Sequence, residues 1–141
     1  MLNVIVDSSV VTKWYFEENE EDVEAARQLL QFVKSGEYRL VAPQITLLEL
    51  ANVVKFSKKQ SQKKCLAAVS LYEQLLDSLA PLPSIDLIIN QIYKQNLTSY
   101  DAVFTTLAIN MDISLITADY KHHQKFISKN IIWLKEWNGK V

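Results

Sequence analysis

The chain has 141 residues, 49% of them hydrophobic, and a formal net charge of −1. This composition excludes an intrinsically disordered protein, and the near-zero charge excludes recognition of nucleic acid through a globally basic surface. The single cysteine, Cys65, excludes an intrachain disulfide, and no apolar run is long enough to span a bilayer, so we expect a cytoplasmic protein.

The hydrophobic pattern predicts strands that alternate with helices. In chain order, the predicted elements are a strand at 2–6, a helix at 8–16, a helix at 20–35, a strand at 38–42, helices at 44–60, 62–79, 85–95 and 100–111, a strand at 114–117, a short helix at 120–127 and a strand at 130–134. Strands connected in this way pair in parallel, with helices on both faces of the sheet. No linker, repeat or low-complexity segment divides the chain, so a single domain over residues 1–141 is expected.

Local signals suggest where the helices begin. Ser8 or Ser9 is expected to cap the first helix and Ser99 the sixth, because their hydroxyls can accept from free backbone N–H groups. Pro43 suits the first turn of the third helix. The expected core positions of that third helix are Ile45, Leu48, Ala51 and Val53.

Two of the predicted strands are followed closely by an aspartate. Asp7 directly follows the first strand, and Asp119 lies two residues beyond Thr117, at the end of "SLIT". Ligands bind beyond the carboxyl ends of parallel strands, so both carboxylates are expected at one edge of the sheet. Each residue alone has another explanation, because aspartate also commonly caps a turn or a following helix.

Two further acids lie in predicted helices. Glu49 interrupts an apolar run, and Asp101 occupies the first turn of the sixth helix. A solvated helix strip would account for Glu49, and an interaction with the helix dipole would account for Asp101. Taken together, however, the four carboxylates form a hard-oxygen ligand set that suits Mg²⁺ or Mn²⁺. A divalent ion held there would polarise a phosphate and activate water.

The segments "VIVDSSVVTKWYFEE", "LLELANVV" and "SYDAVFTTLAINMDISLITAD" resemble PIN-domain ribonucleases, in particular the VapC-type toxins of toxin–antitoxin pairs. The resemblance implies an α/β fold, a PIN-like three-layer α/β/α sandwich with a central parallel sheet of four to five strands. The residues that match the family's catalytic and metal-binding quartet are Asp7, Glu49, Asp101 and Asp119, with Thr117 and Ser8 in supporting positions.

The activity that this resemblance implies is hydrolysis of RNA phosphodiesters by water activated with Mg²⁺ or Mn²⁺. It also implies a homodimer and a cognate antitoxin whose C-terminal segment lies near the first and third helices. Asp112 departs from the glycine of many relatives, and "YKHHQKF" after Asp119 lacks an extra acid that some members carry. The second departure leaves open whether one or two metal ions bind.

Basic and aromatic residues supply the remaining candidates. The possible RNA contacts are Lys13, Lys55, Lys58 and Lys59. A basic run at a helix end is also typical of a merely solvated surface. His122 and His123 are interpreted as surface residues without a role in the chemistry. An exposed Trp14 or Phe56 would indicate an antitoxin or dimer surface.

Two other functions are compatible with such a sheet. A phosphohydrolase with an aspartyl nucleophile would normally have an acid two residues after the first aspartate, where this chain has Ser9. The other alternative is a non-catalytic PIN-fold module that binds protein or RNA, and such a module would show no Mn²⁺-dependent thermal shift.

Overall fold

The computed structural model describes residues 1–124 and 128–141. Its centre is a five-stranded sheet in the order β3-β2-β1-β4-β5, and all neighbouring strands are parallel. The strands are β1 (Leu2–Val6), β2 (Tyr38–Pro43), β3 (Leu76–Ala80), β4 (Ser114–Thr117) and β5 (Ile131–Trp133). The expected α/β/α sandwich with a parallel sheet of four to five strands is therefore confirmed.

Within the described residues, six helices flank the sheet. They are α1 (Ser8–Tyr15), α2 (Val23–Lys34), α3 (Ile45–Asn52), α4 (Gln62–Leu75), α5 (Ile85–Gln95) and α6 (Ser99–Met111). A π-helical turn, Val53–Ser57, continues α3, and a 3-10 turn, Leu134–Glu136, follows β5. The helix α2 is amphipathic and buries Ala26, Leu29 and Val33.

The sheet has a core on each face, because successive side chains of a strand point in opposite directions. Val4 and Val6 of β1 belong to the core beneath α1 to α4. Ile5 points to the other side and shares a core with Phe104 and Leu107 of α6. This burial on both faces explains why β1 reads as a continuous apolar run and not as an alternating one.

The predicted fourth helix, 62–79, was too long. In the structure α4 ends at Leu75, and the chain continues as β3, which pairs with β2 at the edge of the sheet. The side chain of Asp77 accepts a hydrogen bond from the backbone N–H of Leu40 at 3.0 Å. Pairing with a strand distant in sequence thus overrides the local helical pattern of Leu75 and Leu76.

Several local predictions about the helices were also wrong. Asp7 caps α1 by accepting from the N–H of Ser9, and Thr98 caps α6, so each cap lies one residue before the nearest predicted serine. Pro43 ends β2 and does not begin α3. Leu48 is 69% exposed. The residues of the α3 segment that are buried are Thr46, Leu50 and Val54.

The predicted helix at 120–127 lies partly outside the described residues. Its described part, residues 120–124, forms turns. Within the part of the chain that the structure describes, none of the helices is both long and apolar enough to cross a membrane.

Candidate active site

Asp7 joins the first strand to the first helix and is almost completely buried. Its Oδ1 accepts from the backbone N–H of Ser9 at 3.1 Å and also contacts the Ser9 hydroxyl. Its Oδ2 accepts from the hydroxyl of Thr117 at 2.6 Å. Burial raises the pKa of Asp7, although the positive charge of His123 and these hydrogen bonds act in the opposite direction.

Thr117 connects the ends of the two central strands. β1 and β4 are direct neighbours, with Val6 opposite Ile116, so their carboxyl ends meet. The Thr117 hydroxyl donates to Asp7 and accepts from the backbone N–H of Asp119 at 3.0 Å. One buried side chain therefore holds both strand-terminal aspartates, which accounts for the two apolar strands that end in acids.

Glu49 approaches the same edge of the sheet from α3. The hydroxyl of Ser8 donates to its Oε2 at 3.3 Å. Burial, together with the negative charges of Asp7 and Asp101, raises the pKa of Glu49 to about 7. The carboxyl group of Glu49 is therefore near its titration midpoint at neutral pH in the metal-free protein.

Asp101 completes the group from the first turn of α6. Thr98 Oγ1 donates to its Oδ2 at 2.8 Å. Burial pushes the pKa of Asp101 upward, but the hydrogen bond and charge of His123 outweigh it, and the pKa lies below its ordinary value. Asp101 is thus ionised at neutral pH, in contrast to Glu49.

His123 lies inside the acidic group, and its interpretation as a surface residue was wrong. The side chain is buried, with Nε2 3.3 Å from Asp101 Oδ1 and 3.5 Å from Asp7 Oδ2. Burial alone would lower its pKa, yet the hydrogen bond to Asp101 and the charges of Asp7, Asp101 and Asp119 raise it. The imidazolium offsets part of the repulsion among the carboxylates.

The donor set of this edge fits a divalent cation. Four carboxylates converge there, and the one buried histidine beside them, His123, neutralises only part of their charge. Among the described residues, Asp101, Asp119 and His122 also have ligand atoms that all lie within 4.8 Å of one another. Oxygen-rich sites of this kind suit Mg²⁺ and Mn²⁺.

Two of the predicted RNA contacts are engaged within the protein. Lys13 is buried, and its Nζ lies 2.9 Å from Glu20 Oε2 and 2.7 Å from the carbonyl oxygen of Glu21. Lys58 Nζ contacts the other oxygen of Glu20 at 2.8 Å. Glu20 therefore ties α1 to the π-helical turn. Lys55 and Lys59 are exposed to solvent.

Replacing Glu20 with glutamine is expected to destabilise the protein by about 1–2 kcal/mol, because it leaves the buried Lys13 ammonium without a counter-ion. Chemical denaturation measures the change in the free energy of unfolding. Glu17→Gln is the matched control, since Glu17 pairs with Arg27 on an exposed surface, where solvent screens the interaction and the loss of stability should be smaller. Equal losses in the two variants would contradict the role of the Glu20 pair.

The metal-free protein is expected to lose stability as the pH rises from 5 to 8. The folded state raises the pKa of Glu49 from 4.5 to about 7, so its favourable contribution is complete below the lower value and disappears through the higher one. The raised pKa of His123 acts in the same direction. The share of Glu49 is about 2 kcal/mol after allowance for solvent.

Denaturant titrations in EDTA at several pH values test this expectation. Glu49→Gln cannot titrate, so its stability should fall less steeply than that of the wild type over the same range. Parallel pH profiles for the two proteins would contradict the assigned pKa of Glu49.

The side chains that sequence reasoning missed are Ser9, Thr98 and His123. The two hydroxyls hold Asp7 and Asp101, and His123 contacts both of these acids. A hydroxyl residue three positions before Asp101 was a visible capping signal. The position of His123 had no comparable signal, because it depends on the turn after Asp119.

Comparison with known proteins gives one family match. The sequence matches the family described as the PIN domain over residues 4–126. No curated protein matches it in sequence.

Solved structures with the same fold extend this result. PAE2754 from Pyrobaculum aerophilum is 18% identical, with a TM-score of 0.67 and a match over 95% of this chain and 85% of that one. DNA-bound VapBC from Salmonella typhimurium is 15% identical, with a TM-score of 0.64 over 95% and 99% of the two chains. FitAcB from Neisseria gonorrhoeae is 18% identical, with a TM-score of 0.65 and the same coverage. At these identities the similarity is one of fold.

Proposed function

The chain belongs to the PIN-domain family, and on this premise we propose that it is a Mg²⁺- or Mn²⁺-dependent endoribonuclease. In this proposal it hydrolyses RNA phosphodiesters in the cytoplasm, as a single domain and as the toxin of a toxin–antitoxin pair. The observation that carries the proposal is the convergence of four carboxylates at the carboxyl edge of the sheet, where the two central strands end.

Asp7, Glu49, Asp101 and Asp119 are the proposed cation ligands. A bound divalent cation would neutralise the charge that develops on the phosphate and would activate the attacking water. The protein contributes the positions of the ligands. Thr117 and Ser8, the proposed supporting residues, hold Asp7 and Glu49 by hydrogen bonds of 2.6 and 3.3 Å. These contacts restrict the carboxylates before any ligand arrives, so less ordering is needed on binding.

Glu49 and Asp101 differ in their proton affinity. With a pKa of about 7 in the metal-free protein, Glu49 holds a proton about half of the time at neutral pH. Asp101, whose pKa is lowered, remains ionised under the same conditions. As a proposed cation ligand, Glu49 therefore has to release this proton when the cation binds.

RNA binding requires cations near this acidic edge. Lys55 and Lys59 are exposed and are the proposed phosphate contacts, which position a strand without reading its sequence. Lys13 and Lys58 are held by Glu20, so we assign them a structural role first. They become RNA contacts only if the Glu20 pair opens.

The proposed partners are a cognate antitoxin and a second copy of the chain. FitAcB and VapBC, whose names denote two-component complexes, have this fold. A groove of about 910 Å³ runs from the end of α1 to α4 and is a suitable place for an antitoxin segment. Phe56, on the π-helical turn, is 71% exposed and lines a neighbouring cleft with Ala51 and Cys65.

Helix α5 carries the surface proposed for the homodimer. Its exposed apolar residues are Ile85, Leu87, Ile89 and Tyr93. Ile85, Ile89 and Tyr93 recur every four residues and so share one face of the helix, and exposed apolar residues grouped in this way are typical of a protein contact. Analytical ultracentrifugation of the wild type and of a Tyr93→Lys variant measures whether this face forms the dimer.

A non-catalytic PIN-fold module that binds protein or RNA is the second candidate. One observation favours it: His123 lies between Asp7 and Asp101 and neutralises part of their charge with a side chain of the protein itself. Because His123 reduces the repulsion between these carboxylates, the acidic group requires less neutralisation by a metal ion.

Cleavage of a labelled, structured RNA by the purified protein distinguishes the two functions. Cutting that requires Mn²⁺ or Mg²⁺ and stops in EDTA is the result expected for the endoribonuclease. The absence of cutting, combined with the absence of a Mn²⁺-dependent shift in melting temperature, would favour the binding module.

A further inference from the structure

His122 lies beside the acidic edge and has no part in the function proposed above. It is partly exposed, and its Nδ1 is 3.0 Å from Asp119 Oδ1 and 2.9 Å from Asp119 Oδ2. Together with Asp101 and Asp119 it forms a mixed group whose nitrogen and oxygen ligand atoms lie within 4.8 Å of one another. A histidine nitrogen so close to two acids changes which cations the edge can hold.

The turn after β4 fixes the position of this imidazole. The backbone N–H of His122 donates to Asp119 Oδ1 at 3.3 Å, and the N–H of His123 donates to the carbonyl oxygen of Asp119 at 3.0 Å. His123, the next residue, is anchored by the contacts of its buried side chain with Asp7 and Asp101. His122 is therefore held on the side of Asp119 from both ends of the turn.

The spacing fits neighbouring ligands of one cation. In an octahedral shell with bonds of about 2.1 Å, adjacent ligand atoms are separated by roughly 3 Å and opposite ones by roughly 4 Å. The contacts of 2.9 and 3.0 Å between Nδ1 and the Asp119 oxygens correspond to adjacent positions. The Asp101 carboxylate has an oxygen within 4.8 Å of the ligand atoms of Asp119 and His122. A small movement of the Asp101 side chain would therefore bring all three residues to one cation.

We propose that His122 is a nitrogen ligand that joins Asp101 and Asp119 and gives the site a preference for Mn²⁺ over Mg²⁺. The inference rests on the proposed metal-dependent function and specifies its cation. Mg²⁺ is a hard ion that favours oxygen ligands, whereas transition metals accept imidazole readily. The neutral imidazole would supply its lone pair at Nδ1, with its single proton on Nε2.

Pulsed electron paramagnetic resonance of Mn²⁺ bound to the untagged protein tests the proposal directly. The chain contains only two histidines, so labelling with ¹⁵N-histidine should change the nitrogen modulation of the wild type. His122→Ala should abolish that modulation. It should also weaken Mn²⁺ binding about tenfold, measured by calorimetry, and change Mg²⁺ binding by less than about twofold.

His122→Asp is the matched variant, because it replaces the nitrogen ligand with an oxygen ligand. It should retain Mn²⁺ binding, show no histidine modulation and bind Mg²⁺ with nearly the affinity that it has for Mn²⁺. Mn²⁺ bound to the wild type without histidine modulation, or modulation that persists in His122→Ala, would overturn the role of His122 alone. Failure of the wild type to bind Mn²⁺ would overturn this proposal and the metal-dependent function together.

Discussion

Replacement of Asp7 with asparagine is expected to lower metal-dependent RNA cleavage by about three orders of magnitude. A cation in a phosphoryl-transfer site contributes several kcal/mol of charge stabilisation, and each 1.36 kcal/mol corresponds to about tenfold in rate. Asp7 is the most deeply buried of the four carboxylates and is in contact with Thr117, Ser9 and His123. An uncharged side chain at this position removes a ligand from the centre of the group.

The variant should nevertheless fold. Asparagine retains a carbonyl oxygen that accepts from the N–H of Ser9, so the cap of α1 persists. Because burial raises the pKa of Asp7, the folded state already disfavours its charge, and the neutral amide should change the stability of the metal-free protein by less than about 1 kcal/mol.

Asp112→Asn is the matched control for this substitution. Asp112 is exposed, ends α6 in the left-handed conformation and lies outside the acidic group. Asparagine tolerates that conformation, so activity and stability should remain close to those of the wild type. Initial rates on the same labelled RNA, with Mn²⁺ at saturation, measure both variants. Equal activity of Asp7→Asn and wild type would exclude this edge as the active site.

The location of the acids could be predicted because it follows from general properties of parallel sheets. An apolar strand buried on both faces must end where the chain reaches the surface, and Asp7 and Asp119 lie at such ends. Their proximity also required that β1 and β4 be neighbours, which the strand order of the structure shows.

The position of His123 could not be predicted, because no pattern in the sequence distinguishes a buried histidine from an exposed one. His122 and His123 are adjacent in a polar segment, yet the first is exposed and the second is buried between Asp7 and Asp101. The turn at Asp119 decides which of the two histidines is buried between Asp7 and Asp101. The prediction of a helix through residue 79 was wrong for a similar reason. The segment of β3 forms a strand only because it pairs with β2, which is distant in sequence.

The pairing of Lys13 with Glu20 shows the same limit for charged residues. Lys13 lies in α1 and Glu20 lies in the connection between α1 and α2, and neither periodicity nor spacing indicates their contact. Counting the lysines in a sequence therefore overestimates the positive charge that is available to bind RNA. At least two of the four candidate lysines are neutralised within the fold.

Replacement of Thr117 with valine is expected to lower activity about 10–100-fold and stability by about 1–3 kcal/mol. The two side chains are similar in shape, so the change removes only the hydroxyl. Without it, Asp7 Oδ2 loses its 2.6 Å hydrogen bond and the N–H of Asp119 loses its acceptor, both at a fully buried position. The pKa of Asp7 should rise further, because the hydrogen bond from Thr117 is one of the interactions that lower it.

Thr106→Val provides the contrast that assigns this loss to the two hydrogen bonds. Thr106 is buried in α6, and its hydroxyl has no hydrogen-bond partner within residues 1–124 and 128–141. Its removal should leave activity unchanged and stability equal or slightly higher, since an unsatisfied buried hydroxyl is unfavourable. Denaturant unfolding and RNA cleavage measure both variants. Similar losses in the two would mean that buried threonines act in this protein through packing, and that Thr117 does not hold the two strand ends together for catalysis.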